Sequence, residues 1–143
     1  MSRTRIVLWG ALAAGAALGV AGPGLASTPK NSISISGPTS VKIVKTFHLK
    51  VTGYIVSPAN KVAVFTDSLP CKSHQLAELN RSTSREIDQF FPHVPGHFSS
   101  TESLYAGAVK TRYLCAYVFK RVAQVNDPHT TYAHTSHKWT QHH

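Results

Sequence analysis

Residues Lys110 to Arg121, KTRYLCAYVFKR, restrict the fold more than any other stretch. Tyr113, Cys115, Tyr117 and Phe119 fall on one parity, and Leu114, Ala116 and Val118 on the other. As a strand, the run from Ala108 to Val122 is apolar on both faces. Such a strand belongs in the middle of a sheet, with a neighbour on each edge and cover on each side.

The remaining chain offers neighbours of the same kind. Ser32 to Ser36, SISIS, alternates isoleucine with serine and ends at Gly37-Pro38. Val41 to Val44 is a second short piece. Thr46 to Tyr54 places Phe47, Leu49 and Val51 on one face and His48, Lys50 and Thr52 on the other, the period of a half-buried strand. Ser57 to Asn60 reads as a turn. Lys61 to Thr66, KVAVFT, is apolar on both faces and predicts a second central strand. Between Asp67 and Pro95 the periodicity fades. Ser73 to Asn80 predicts a short helix capped by Ser73, with Leu76 and Leu79 at i, i+3. Arg81 to Gln89 carries no clear pattern, and Phe90-Phe91 reads as an inward contact or a short strand. His97 to Tyr105 predicts another strand. Asn126-Asp127-Pro128 marks a turn, and Thr130 to Thr140 predicts a last strand pairing with Lys110 to Arg121, against the alternative of a His-rich tail.

Residues 1–26 have the three parts of a secretory signal: Arg3 and Arg5, an apolar run rich in Ala and Gly, and Gly24-Leu25-Ala26 before a cut. Ile6 to Ala26 is also near the length of a bilayer span, about 20 residues, but Gly22-Pro23-Gly24 breaks its end. Cleavage is the expectation, with membrane contact only through this segment before the cut. Removing 26 of 143 residues leaves 117, enough for one domain with a modest core. The 15 basic residues lose Arg3 and Arg5, so 13 face 6 acidic ones, a formal charge of +7. That balance favours anionic partners such as a cell-surface polymer, with an extracellular protein as the other class considered. No arginine-rich block or basic–aromatic signature supports specific nucleic-acid recognition.

Cys71 and Cys115 are the only two cysteines. In a secreted chain they predict one disulfide. The loop it closes, of about 45 residues, corresponds to roughly 4 kcal/mol in the chain-entropy model. It encloses residues 72–107, the least patterned part of the chain.

Short strands with turns every 8–12 residues read as a β-sandwich. Tyr113-Leu114-Cys115 in a penultimate strand resembles strand F of immunoglobulin-like domains, where a tyrosine two residues before the cysteine caps a corner. The chain resembles small secreted bacterial immunoglobulin-like domains over residues 31–140 in pattern. The resemblance implies an all-β immunoglobulin-like sandwich of about seven strands with one disulfide, and one short helix near 73–80. Residues 27–30 are then a linker and 141–143 a frayed end. Cys71 lies after the third, C-like strand, beyond Leu69-Pro70. The bridge is therefore not the usual pin from strand B to strand F, and ties the segment after strand C to strand F instead.

Nine histidines raise metal binding. His134 and His137 point to opposite faces of a strand. His93 and His97 flank Val94-Pro95-Gly96 and form the best pair, but two imidazoles make a weak site and no carboxylate or cysteine is spaced to complete it. No Gly-x-Ser-x-Gly elbow, His-Glu-x-x-His or phosphate-binding glycine loop is present. Asn80-Arg81-Ser82 fits the glycosylation pattern. Lys42, Lys45, Lys50 and Lys61 offer a basic face or, more simply, solvated strand positions. The expected function is a secreted, non-catalytic binding or structural module without a cofactor or catalytic residues. A histidine-rich metal-binding protein and a small secreted enzyme are the alternatives.

Overall fold

A computed structural model describes residues 28–58, 60–120 and 131–143. The signal-type segment 1–26 and the Asn126-Asp127-Pro128 turn lie outside the described residues. Eight strands and one helix are described: β1 (Ser32–Ser36), β2 (Ser40–Lys42), β3 (Lys45–Ile55), β4 (Asn60–Asp67), α1 (Gln75–Leu79), β5 (Arg85–Phe90), β6 (Gly96–Ala106), β7 (Thr111–Lys120) and β8 (Thr131–His142). They form a three-stranded sheet, β1-β3-β6, and a five-stranded sheet, β2-β8-β7-β4-β5. In immunoglobulin letters this order is A-B-E facing A′-G-F-C-C′, an immunoglobulin-like sandwich. The last strand is a strand and not a tail. It runs on to His142 beside β2, and Gln141 is buried.

Period two places the core. Phe47, Leu49 and Val51 of β3 meet Val62 and Val64 of β4, Leu114, Ala116 and Val118 of β7, and Trp139 of β8. Phe47 and Trp139 touch edge to face at 5.6 Å. Two glycines are fixed by close approach. The chain switches sheets between β1 and β2 at Gly37, whose φ is 154° and whose absent Cβ would strike the Leu49 side chain. A Cβ on Gly53 would collide with the Ser32 carbonyl and the Phe98 ring, so β1 and β6 can close on β3 only across a glycine.

β4 and β7 pair with each other and are buried on both faces, as their sequences require. Their second faces form a separate cluster of Ala63, Phe65, Cys115, Tyr117 and Phe119 on the outside of the five-stranded sheet. The segment joining β4 to β5 covers it, and the Cys71–Cys115 disulfide, Cα–Cα 5.6 Å, fastens that cover. The helix in this cover departs from expectation. Its N-cap is His74, without a side-chain cap bond, and not Ser73. It buries Gln75 and Glu78, while Leu79 is exposed. Tyr117, not Tyr113, makes the tyrosine-to-backbone bond here: its hydroxyl donates to the Lys72 carbonyl at 2.7 Å.

Two predictions follow from this frame. Val44, in the β2–β3 turn, has φ 61° and is 68% exposed, a left-handed conformation that suits a β-branched residue badly. Asparagine tolerates it, so Val44→Asn should raise stability by about 1 kcal/mol in denaturant unfolding. Replacing both cysteines by serine should cost up to about 4 kcal/mol. Hydrogen exchange should then rise first in residues 68–84, ahead of the β3–β6 amides. Uniform exchange across both regions would contradict the cover's dependence on the bridge.

Candidate functional site

The sandwich stays open at the end where β4, β6 and β8 finish and β5 and β7 begin. A cavity of about 340 Å³ lies there, lined among others by Arg85, Lys110, Arg112, Tyr105, Trp139 and Gln141. Strand register explains how the cations arrive. Arg112 shares the inward parity of Leu114, Ala116 and Val118 and pairs with Trp139. It occupies a core-facing position one step beyond the core. Arg85 pairs with the inward Thr66, after a bulge opposite Val64 and Phe65. The bulge lets Asp88 and Arg85, three residues apart, face the same side, which strict alternation forbids. Lys110 immediately precedes β7, and its carbonyl accepts from the Gln141 N–H at 2.9 Å.

The floor is held by polar contacts. Oriented to satisfy both neighbours, the Gln141 amide oxygen accepts from Trp139 Nε1 at 3.3 Å and its nitrogen donates to the Ala108 carbonyl. Tyr105 stands at the rim, 62% exposed, its ring beside Gly107. No carboxylate lines the cavity. Among the described residues the ion pair is Arg81–Asp67, so none of the three cavity cations is engaged in one. The arrangement suits an anion: two guanidiniums and an ammonium converge beside aromatic surface.

The described carboxylates lie elsewhere. Asp67 accepts from Leu69 N at 2.9 Å and from Arg81 Nη1 at 2.7 Å under the cover. Burial pushes its pKa up, but the bonds from Leu69, Thr83 and Arg81 prevail and hold it at about 2. Glu78 is fully buried, and its Oε2 accepts from Lys72 N at 2.8 Å. Burial, and then the Glu78 carboxylate, push the Tyr117 phenol far above its ordinary range. This network braces the cover and offers no open reaction centre. On the facing edge strands β5 and β6, Asp88 and Glu102 turn inward between the sheets. Ser100 Oγ donates to Glu102 Oε1 at 2.8 Å. Burial first, then the Asp88 carboxylate, raises the Glu102 pKa. Burial likewise raises that of Glu86, on the outer side of β5, with Lys61 opposing.

The residues singled out in the sequence are mostly scattered. Cys71 and Cys115 are joined as expected. His93 is exposed, and His97 packs against the Tyr54 ring at 5.1 Å. No group of three or more metal-ligating side chains forms among the described residues. Lys50 lies on the outside of the three-stranded sheet, Lys61 covers the Phe91 ring on the other sheet at 4.6 Å, and Lys42 and Lys45 flank the β2–β3 turn. They make no single face. The cations that do converge, Arg85, Lys110 and Arg112, drew no notice in the sequence. The inward parity of Arg112 was the available signal.

No family model matches the chain, and no curated protein matches it. Among solved structures it is similar to a CARDB domain from Pyrococcus furiosus crystallised in complex with di-metal ions. That likeness has 14% identity, covers 80% of this chain and 90% of the other, and has a TM-score of 0.47. The solution structure of the same domain gives 16% identity over 78% and 94%, also at 0.47. Red sea bream transglutaminase gives 13% identity over 82% of this chain and 15% of that enzyme, at 0.45. The fold assignment rests on the strand order and register above.

Glu102 yields a signed pH prediction. Its carboxyl is raised in the folded state above the ordinary 4.5, so the fold binds the proton more tightly than the unfolded chain does. Its ionisation therefore removes stability as pH climbs through and above that value. Glu102→Gln should raise the melting temperature at about pH 7 and leave it unchanged below about pH 4. A shift of equal size at both would contradict the ionisation account.

Proposed function

We propose that this chain is an extracellular, non-catalytic immunoglobulin-like module that binds an anionic ligand at the open end of its sandwich. The observation that carries this reading is the convergence of Arg85, Lys110 and Arg112 on a cavity lined by no carboxylate. Like charges held together repel, and an anion placed among them removes that repulsion and gains charge-assisted hydrogen bonds. Trp139 and Tyr105 supply apolar and aromatic surface for the uncharged remainder of the ligand. The signal-type N-terminus supports delivery outside the cell. The positive balance of the chain favours encounter with an anionic surface polymer.

Thermal unfolding with sulfate or phosphate, against chloride at matched ionic strength, tests the site. Stabilisation should follow mass action, about 1.4 kcal/mol at tenfold excess over the dissociation constant. The variant Arg85→Gln, Lys110→Gln, Arg112→Gln should fold and lose this response. General salting effects act on both proteins alike. Equal responses from the two would therefore overturn the proposal.

A further inference from the structure

The outward face of the three-stranded sheet continues from the rim of the cavity. Tyr105 is both the rim residue and the last outward side chain of β6. Behind it along the strand come Ser103, Thr101, Ser99 and His97, all exposed. Alongside on β3 run Thr46, His48, Lys50, Thr52 and Tyr54, in register with them. Hydroxyls knit the rows: His48 Nδ1 and Ser103 Oγ are 3.0 Å apart, and Ser34 Oγ and Thr52 Oγ1 2.9 Å. From His97 to Tyr105 the strand extends roughly 27 Å, long enough for several sugar rings in line.

The charge distribution on this face is one-sided. Asp67 and Glu78 lie under the cover, Asp88 and Glu102 between the sheets, and Glu86 on the opposite sheet. No described carboxylate reaches the outward face of β1, β3 and β6. It presents hydroxyls, imidazoles, one ammonium and, at its two ends, the tyrosines Tyr105 and Tyr54. Hydroxyl and imidazole groups exchange hydrogen bonds with sugar hydroxyls in either direction. The flat face of an aromatic ring meets the apolar side of a sugar.

We propose that the ligand is a linear oligosaccharide of uronic acids, with one carboxylate in the end cavity and the following sugars laid along β6 from Tyr105. This rests on the anion-binding reading of the cavity. Planar carboxylate suits the paired donors of Arg85 and Arg112. The cavity volume of about 340 Å³ suits the terminal ring. Later carboxylates meet Lys50 and the imidazoles, with no acidic side chain to oppose them.

Calorimetry with a monomeric uronate, a uronate hexasaccharide, a neutral hexasaccharide and a sulfated hexasaccharide separates the claims. The uronate hexasaccharide should bind about tenfold tighter than the monomer, the scale of one or two ring contacts, and the neutral one should not bind. Thr101→Glu on the exposed face, away from the cavity lining, should erase the length advantage while leaving monomer affinity intact. Equal affinity for monomer and hexasaccharide would overturn the β6 track and leave the cavity reading standing. Tighter binding of the sulfated sugar would overturn the carboxylate assignment. Failure of both uronates, together with no anion-dependent stabilisation, would overturn the cavity reading itself.

Discussion

The antiparallel pairing of β4 with β7 is the constraint on which the rest depends. It runs from Asn60 opposite Lys120 to Asp67 opposite Tyr113, and both strands are apolar on both faces. Such a pair stays dry only when covered twice. The three-stranded sheet covers one side with Ile33, Ile35, Phe47, Leu49 and Val51. The other side has no third sheet to face it. A short segment of low apolar content must do the work, and its helix, five residues long, buries Gln75 and Glu78. Apolar burial alone holds such a cover weakly. The disulfide to Cys115 places the anchor within the covered cluster, so the covalent link and the apolar contacts act on the same few square ångströms. Tyr117 on β7 reaches the cover by donating to the Lys72 carbonyl, and within the cover Glu78 accepts from the Lys72 N–H. Lifting the cover would break the Tyr117 hydroxyl's bonds to the Lys72 carbonyl and to Glu78 Oε2 and expose the apolar cluster beneath.

The opposite problem arises at the sheet edges. β5 and β6 each leave one row of backbone groups unpaired. Both carry inward carboxylates, Asp88 and Glu102, where alternation would place apolar residues. Inward charge on an edge strand discourages pairing with another chain, because a second strand would bury the charge further. Burial already raises the Glu102 pKa, the direction expected of a carboxyl whose charge is costly to hold there. Inward carboxylates here trade apolar burial for protection of the sheet edges.

These two devices explain what was legible in the sequence and what was not. β3, β4 and β7 follow directly from apolar parity, because their inward positions are filled as alternation predicts. The disulfide and its displacement past strand C follow from having two cysteines in a chain of this type. β5 was hidden because its bulge breaks the period between Ile87 and Glu86 and its inward side holds Asp88 and Arg85. β6 was blurred by Ser100 and Glu102 on its inward parity. The cover was misread because Leu76 and Leu79 suggest an apolar helix face, whereas tertiary hydrogen bonds draw Gln75 and Glu78 inward. The cavity cations come from three separate stretches, and no local motif joins them.

What makes the open end a site is the substitution of charge at positions that alternation assigns to the core. Leucine at Arg112 and valine at Arg85 would have extended the apolar layer by one row and closed the sandwich over Trp139 and Leu104. Instead, inward geometry is kept and apolarity is not. An outward lysine spreads its charge into water at little cost. Arg112, paired with Trp139, is half-buried, while Arg85 and Lys110 reach the same opening from exposed positions. The described acidic residues sit in or under the cover and on the edge strands β5 and β6. The fold therefore gathers two arginines and a lysine around one opening that no carboxylate lines, and that placement is what the proposed anionic ligand rests on.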